Sequence, residues 1–225
     1  MEPIQQLPVT KETETNFRAH FMIEESKKLD LCMMTYPNGD VYVGEHRNKN
    51  MHGLGTMYYV EGDVQISRWK DNVAHGSGVY QSQSGISFVG LWKNGLLNGK
   101  KCEVQYPCGA LYAGELSDNM MTGKGTMYYG NGDVYHGDWA MGNWHGKGLV
   151  KYTDGEIYMG EFIYNERRGK GKCKWPSGLI YEGEWAEDTL NGDGILNGRE
   201  YDNRIHTGPW INGVQQQKGL TINFQ

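Results

Sequence analysis

Long apolar runs are missing from this 225-residue chain. None approaches the ~18 residues that a membrane-spanning helix needs. Basic charge is not in excess either. Lys and Arg total 22 against 27 Asp and Glu, a net charge of -5. That balance argues against nucleic acid as a partner and against whole-surface attachment to anionic lipid. Cysteine is scarce, and Cys32, Cys102, Cys108 and Cys173 share no spacing. The opening residues have no basic-then-apolar leader layout, and no Asn-x-Ser/Thr acceptor occurs. A reduced, cytoplasmic protein is the expectation. Abundance lies elsewhere, in 33 Gly, 15 Tyr and 7 Trp. That combination suits glycine-kinked strands carrying rings, and suits helices badly.

The rings and glycines are periodic. Tyr42, Phe88, Tyr112, Tyr135, Tyr158 and Tyr181 are each followed two residues later by a glycine. A second series, Gly53, Gly76, Gly99, Gly123, Gly146, Gly169 and Gly192, advances by 23, 23, 24, 23, 23 and 23 residues. A fixed short period means one supersecondary unit stacked on copies of itself. The register divides the chain into an extension over 1–30, a half repeat over 31–39, seven repeats over 40–200 and a degenerate cap over 201–225. Within the extension, residues 15–29 read as a short capping helix with Thr15 as N-cap and Phe17, Phe21 and Ile23 as apolar anchors.

One unit shows the physics. Residues 134–139 alternate as a strand, 140–145 read as a turn rich in Gly and Asn, and 146–152 read as a second strand. Thr153-Asp154-Gly155 closes the unit with a tight-turn signature. On one face the first strand shows ring, glycine, ring, as in Tyr135, Gly137, Trp139 and in Tyr181, Gly183, Trp185. Rings laid over neighbouring glycines bury well. The predicted fold is all-β: an elongated, curved, single-layer antiparallel sheet of consecutive β-hairpins, with the short N-terminal helix. Its opposite face is apolar in the N-terminal half, where Val43, Ile66, Val89 and Leu91 are candidate partner-binding residues. In the C-terminal half it is basic, with Arg167 and Arg168 in a turn beside Lys170, Lys172 and Lys174. Those five cations are candidates for an anionic ligand, or else pair across strands with Glu161, Glu182 and Glu184.

Tyr42-Val-Gly-Glu with His52-Gly-Leu-Gly, Tyr135-His-Gly-Asp-Trp with His145-Gly-Lys-Gly, and Tyr181-Glu-Gly-Glu-Trp resemble the MORN (membrane occupation and recognition nexus) repeat. The structural positions of that pattern fall on Tyr42, Gly44, Tyr112, Gly114, Tyr135, Gly137, Trp139, Tyr158, Gly160, Tyr181, Gly183 and Trp185. Repeat two departs from it, with Gln65 and Ser67 for ring and glycine. Repeat three departs too, where Asn98-Gly-Lys-Lys loses a glycine and gains a residue. Those departures mark either a specialised contact or drift. The resemblance implies a scaffold, linked to protein contacts and more arguably to lipid contacts.

Readings that need chemistry fare poorly. His52, His75 and His145 repeat at two strand spacings, roughly 9.5 Å, too far apart to share one zinc. Cys102 and Cys108 sit at opposite ends of one expected strand, and Cys173 occupies a core position. Gly123-Lys-Gly-Thr lacks phosphate-loop spacing. No enzyme activity, cofactor or metal is expected. The leading expectation is a protein-interaction scaffold in a cytoskeletal or ciliary assembly. A peripheral tether to anionic phospholipid, through the cations from Arg167 to Lys174, is the alternative. A homodimer through sheet edges or ends is compatible with both.

Overall fold

The computed structural model describes residues 31–198, 204–216 and 220–223. The helix expected over 15–29 lies outside them. Strand β1 (Cys32–Thr35) opens the sheet. Six hairpins of the regular form follow or flank one irregular unit. They are β2 (Val41–Arg47) with β3 (Asn50–Tyr58), and β4 (Val64–Lys70) with β5 (Val73–Gln81). In the irregular unit, β6 (Ser87–Lys93) faces a broken strand, β7 (Leu96–Leu97) and β8 (Gly99–Gln105). Next come β9 (Leu111–Ser117) with β10 (Met120–Tyr128), β11 (Val134–Ala140) with β12 (Asn143–Lys151), and β13 (Ile157–Ile163) with β14 (Glu166–Lys174). The last is β15 (Ile180–Ala186) with β16 (Thr189–Asn197), and the pieces β17 (Arg204–Thr207), β18 (Trp210–Ile211), β19 (Val214–Gln215) and β20 (Leu220–Asn223) close the end. From β1 to β16 the chain forms one open antiparallel sheet of consecutive hairpins, as expected, with β7 and β8 both paired to β6; at the end β16 pairs both β17 and β18, and β17 pairs β20.

The turn inside each hairpin is shorter than the sequence suggested. Only two residues turn, as with Met141-Gly142, whose φ values are 49° and 79°. Both central residues have positive φ, the type I′ geometry that matches strand twist. Tyr164, Glu187 and Lys49 also adopt it, although none is a typical turn former. The second strand therefore starts three residues earlier than expected, at Asn143 rather than Gly146. A ladder holds these turns. The second turn residue donates its N–H to the preceding repeat, as from Asn72 to Met51 O at 3.1 Å and from Asn165 to Trp144 O at 3.0 Å. Where that residue is Asn or Asp, its Oδ1 accepts an N–H in return: Met51 to Asn72 at 2.8 Å, Leu97 to Asn119 at 2.7 Å, Arg167 to Asp188 at 3.0 Å.

The core is a layer of rings on glycine. Tyr42, Tyr112, Tyr135, Tyr158 and Tyr181 are fully buried at 0% exposure, which no other position repeats so uniformly. Each hydroxyl donates to the carbonyl three residues on, from Tyr42 to Glu45 at 2.7 Å and from Tyr135 to Asp138 at 2.8 Å. The ring thereby lies over the glycine of the opposite strand. A Cβ on Gly148 would sit 2.5 Å from Tyr135 Oη, and one on Gly137 would sit 2.5 Å from the Gly148 Cα. Glycine is required at both. Tryptophans then join neighbouring hairpins, with Nε1 of Trp69, Trp139 and Trp185 donating to Gly55, Gly125 and Gly171 O at 3.0, 3.2 and 3.3 Å.

Repeats two and three depart differently. In repeat two, buried Gln65 and Ser67 fill the space of the missing ring. Gln65 Nε2 donates to Ser67 Oγ at 3.3 Å, and Tyr59 donates to Gln65 Oε1 at 2.9 Å. The substitution is absorbed within the ring face. Repeat three loses more. Phe88 brings no hydroxyl, Cys102 stands opposite Gly114 where glycine is usual, and Trp92 Nε1 is buried with no hydrogen-bond partner among the described residues.

Two outcomes follow from this core. Gly148→Ala forces a carbon into a fixed ring and should cost about 1–3 kcal/mol, the range for overpacking. Gly142→Ala meets nothing within 4 Å and carries only its positive φ, a penalty of about 1 kcal/mol; urea denaturation of both variants measures the difference. Burial raises the pKa of all five anchor tyrosines, Tyr181 to about 12. Their folded values lie above the unfolded value of about 10. Their stabilising contribution is therefore complete below that pH and is lost as pH rises through the folded values. Thermal melts should hold steady to pH ~10 and fall beyond it.

Candidate protein-binding surface

The face opposite the rings has no second layer among the described residues. Strand pairing places its side chains in rows that cross the sheet. Met33 faces Val43, Val43 faces Thr56, Thr56 faces Ile66, Ile66 faces Val79, and Val79 faces Val89. Three of the four expected partner-binding residues, Val43, Ile66 and Val89, thus share one row. Leu91 stands on the same face two residues on, 52% exposed, and Met33 ends the row 73% exposed. Val79 completes it and had not been singled out. None of these residues belongs to the buried core. Side chains paired across strands cover one another's flanks, which explains why the valines are half-buried yet uncovered.

The basic group does not hold together. Arg167 is not in a turn and not on the outer face. Because the turn is only Tyr164-Asn165, β14 reaches back to Glu166 and sets Arg167 opposite Phe162 on the ring side. There its guanidinium lies 4.6 Å from the Trp185 ring centre and 5.5 Å from that of Tyr158. It bonds Glu156 at 2.6 Å and Asp188 at 3.0 Å, with the Arg167 and Glu156 side chains each 18% exposed. Burial lowers its pKa, but Glu156 and Asp188 more than offset that, and the net shift is upward. Arg168 remains outside, bonded to Glu166 and Glu187 at 3.3 and 3.2 Å. Lys172 is tied to Glu182 at 3.1 Å, the cross-strand pairing that the sequence allowed. Lys170 and Lys174 are exposed, with Lys170 opposite Glu184.

Why Glu156 faces Arg167 follows from one proline. In three other repeats an Asp before the first strand accepts an N–H from the next closing turn: Asp40 from Val60, Asp63 from Gln83, and Asp133 from Thr153, at 2.9, 2.8 and 2.8 Å. The corresponding donor for Glu156 would be Pro176, which has no N–H. Its carboxylate turns instead to Arg167 and to the Cys173 thiol at 3.4 Å. Burial, then Glu156, pushes the Cys173 pKa up to about 12, so this thiol stays protonated and inert. All four cysteines are free thiols. His52 lies 3.7 Å from Asp71, and His145 packs edge-on against Tyr164 at 5.5 Å. Among the described residues, no group of three potential ligands converges on a metal position.

The MORN repeat pattern matches residues 42–64, 66–87, 88–100, 112–134, 135–157, 158–180 and 181–198, seven segments spanning more than half of the chain. The chain belongs to the MORN repeat family. No curated protein sequence matches this MORN repeat chain. Among solved structures, the array is similar to the SAS-4 (dCPAP) TCP domain of Drosophila melanogaster, in complex with a proline-rich motif of Ana2. That match has 14% identity and a TM-score of 0.41 over 67% of this chain and 81% of the other. It is also similar to the TCP10 domain of Danio rerio CPAP in complex with a STIL peptide, at 11% identity and a TM-score of 0.31 over 85% and 92%. Scores this low establish no shared binding site.

Removing one partner of a half-buried ion pair strands the other. Arg167→Ala should therefore destabilise the array by about 3 kcal/mol. Lys172→Ala, which breaks only a surface pair, should change it by less than ~1 kcal/mol. Urea midpoints of the two variants make the comparison.

Proposed function

We propose that this protein is a non-enzymatic protein–protein interaction scaffold that holds a partner helix or peptide across the outer face of β1 to β6. The observation that carries the reading is the row Met33, Val43, Thr56, Ile66, Val79 and Val89, apolar but for one threonine and without a covering layer among the described residues. Uncovered apolar stripes of this kind are where partners dock. A single-layer sheet with nearest-neighbour contacts offers an extended surface and little else, which suits a scaffold. Family resemblance is what points to a cytoskeletal or ciliary assembly as the setting. The edge of β1, unpaired among the described residues, is compatible with a homodimer on the same scaffold.

The phospholipid reading has less behind it. Of its five cations, Arg167 lies on the other face and Arg168 and Lys172 are already paired. Lys170 and Lys174 are too few for a polybasic anchor, at about 1 kcal/mol per cation near an anionic surface.

A photo-crosslinker placed at Val89 should capture a discrete partner in extract of the native cell. Ile66→Lys with Val89→Asp should reduce that capture by more than about tenfold. The same double variant should leave thermal stability nearly unchanged. Undiminished capture by the double variant would refute the outer-face reading. Flotation with phosphatidylinositol-phosphate vesicles should show no binding that Lys170→Ala with Lys174→Ala abolishes.

A further inference from the structure

The ring face carries a second column besides the buried anchors. Tyr106, Tyr129, Tyr152 and Trp175 stand at the closing end of four successive second strands, half-buried against the core. Each is two strands from the next, roughly 9.6 Å at ~4.8 Å per strand. Next to them a shallow groove is lined by Cys108, Tyr129, Asn131, Asp133, Trp144 and Asn165. We propose that this column binds a proline-rich, basic segment in the polyproline II conformation, lying across the strands with one proline on each ring.

Period is the first argument. A polyproline II helix repeats every three residues at ~3.1 Å each, about 9.3 Å per turn. That matches the ring spacing to within a few tenths of an ångström, so proline at every third residue meets every ring in turn. An α-helix, at 5.4 Å per turn, has no such register. Aromatic grooves are the general means of holding this conformation.

Unspent hydrogen bonds are the second. In repeats one and two the comparable hydroxyls are committed, Tyr59 to Gln65 and Tyr80 to Asp63. In the column, Tyr106, Tyr152 and Trp175 direct no polar side-chain atom to any partner among the described residues. Tyr129 accepts from Trp144 Nε1 at 3.0 Å and keeps its own proton to give. A polyproline II segment has no internal hydrogen bonds and presents free carbonyls, the acceptors these donors lack.

Charge is the third. The closing turns beside the column carry Asp133, Asp154 and Glu156 and no lysine or arginine. Glu156 is committed to Arg167, while Asp133 lines the groove and Asp154 stands exposed in the next closing turn. Thr153 N–H holds the Asp133 carboxyl below the usual range, so it is ionised at neutral pH. Lys151 and Lys174 alternate onto the opposite face. Complementarity calls for lysine or arginine in the segment, and it excludes an acidic one.

The site is independent of the outer face, and the test separates them. Fluorescence anisotropy with the full chain compares two labelled peptides of equal composition, each with lysine pairs at the ends. One has proline at every third position and the other at every fourth. The first should bind about tenfold tighter, a difference of 1.4 kcal/mol. Replacing its lysines by glutamate should abolish binding. Tyr152→Leu should weaken the first peptide by about tenfold. Tyr152→Phe, which keeps the ring and the fold, should weaken it by a few fold. Ile66→Lys with Val89→Asp should leave it unchanged. Equal affinity for the two spacings, no binding of either, or indifference to both Tyr152 variants would overturn the proposal.

Discussion

Everything in this sheet depends on the approach of an anchor tyrosine to a pair of glycines. Gly137 and Gly148 face each other so closely that no side chain fits between them and the ring above. The ring can lie flat there only because both positions are bare, and it is fixed because its hydroxyl reaches the Asp138 carbonyl. A single layer has no opposite sheet to pack against, so this is how it excludes water from one of its own faces. The tryptophan bonds to glycine carbonyls and the turn ladder then transmit the same geometry from hairpin to hairpin.

That arrangement divides the labour between faces. The ring side is committed to cohesion, apart from the half-buried column along its closing edge. The outer side contributes little to cohesion, and its composition is free to vary, as it does from valine-rich at β2 to β6 to lysine-rich at β14. Variation on a face that stability does not constrain is where recognition can be written.

Much of this was legible beforehand. A 23-residue period and alternation by two are independent signals, and together they fixed hairpins, faces and buried rings. The outer row was readable for the same reason, since Val43, Ile66 and Val89 alternate with core positions. What escaped was set by tertiary context. Met141, Tyr164 and Glu187 are poor markers of a type I′ turn, so the turns looked six residues long instead of two. Arg167 was misplaced as a result, because strand register decides its face. Its partner was visible only indirectly, through a proline at 176 that cannot donate and a glutamate at 156 where aspartate is usual. Gln65 and Ser67 looked like a gap in the pattern; their mutual hydrogen bond is not a sequence signal.

The third repeat gives the array a seam. A stack in which each unit touches only its neighbours behaves as a one-dimensional chain of coupled elements, with cooperativity set by the weakest link. In this repeat the hydroxyl and the paired glycine are lost between β6 and β9, the tryptophan bond is lost between β6 and β5, and β7 and β8 are separate pieces of one strand. Ile86 stands where other repeats carry the clip aspartate, and Pro107 could not donate to one. The third repeat therefore lacks contacts that the regular hairpins share. The array is in effect two blocks joined end to end, one carrying the apolar outer row and the other the open ring column.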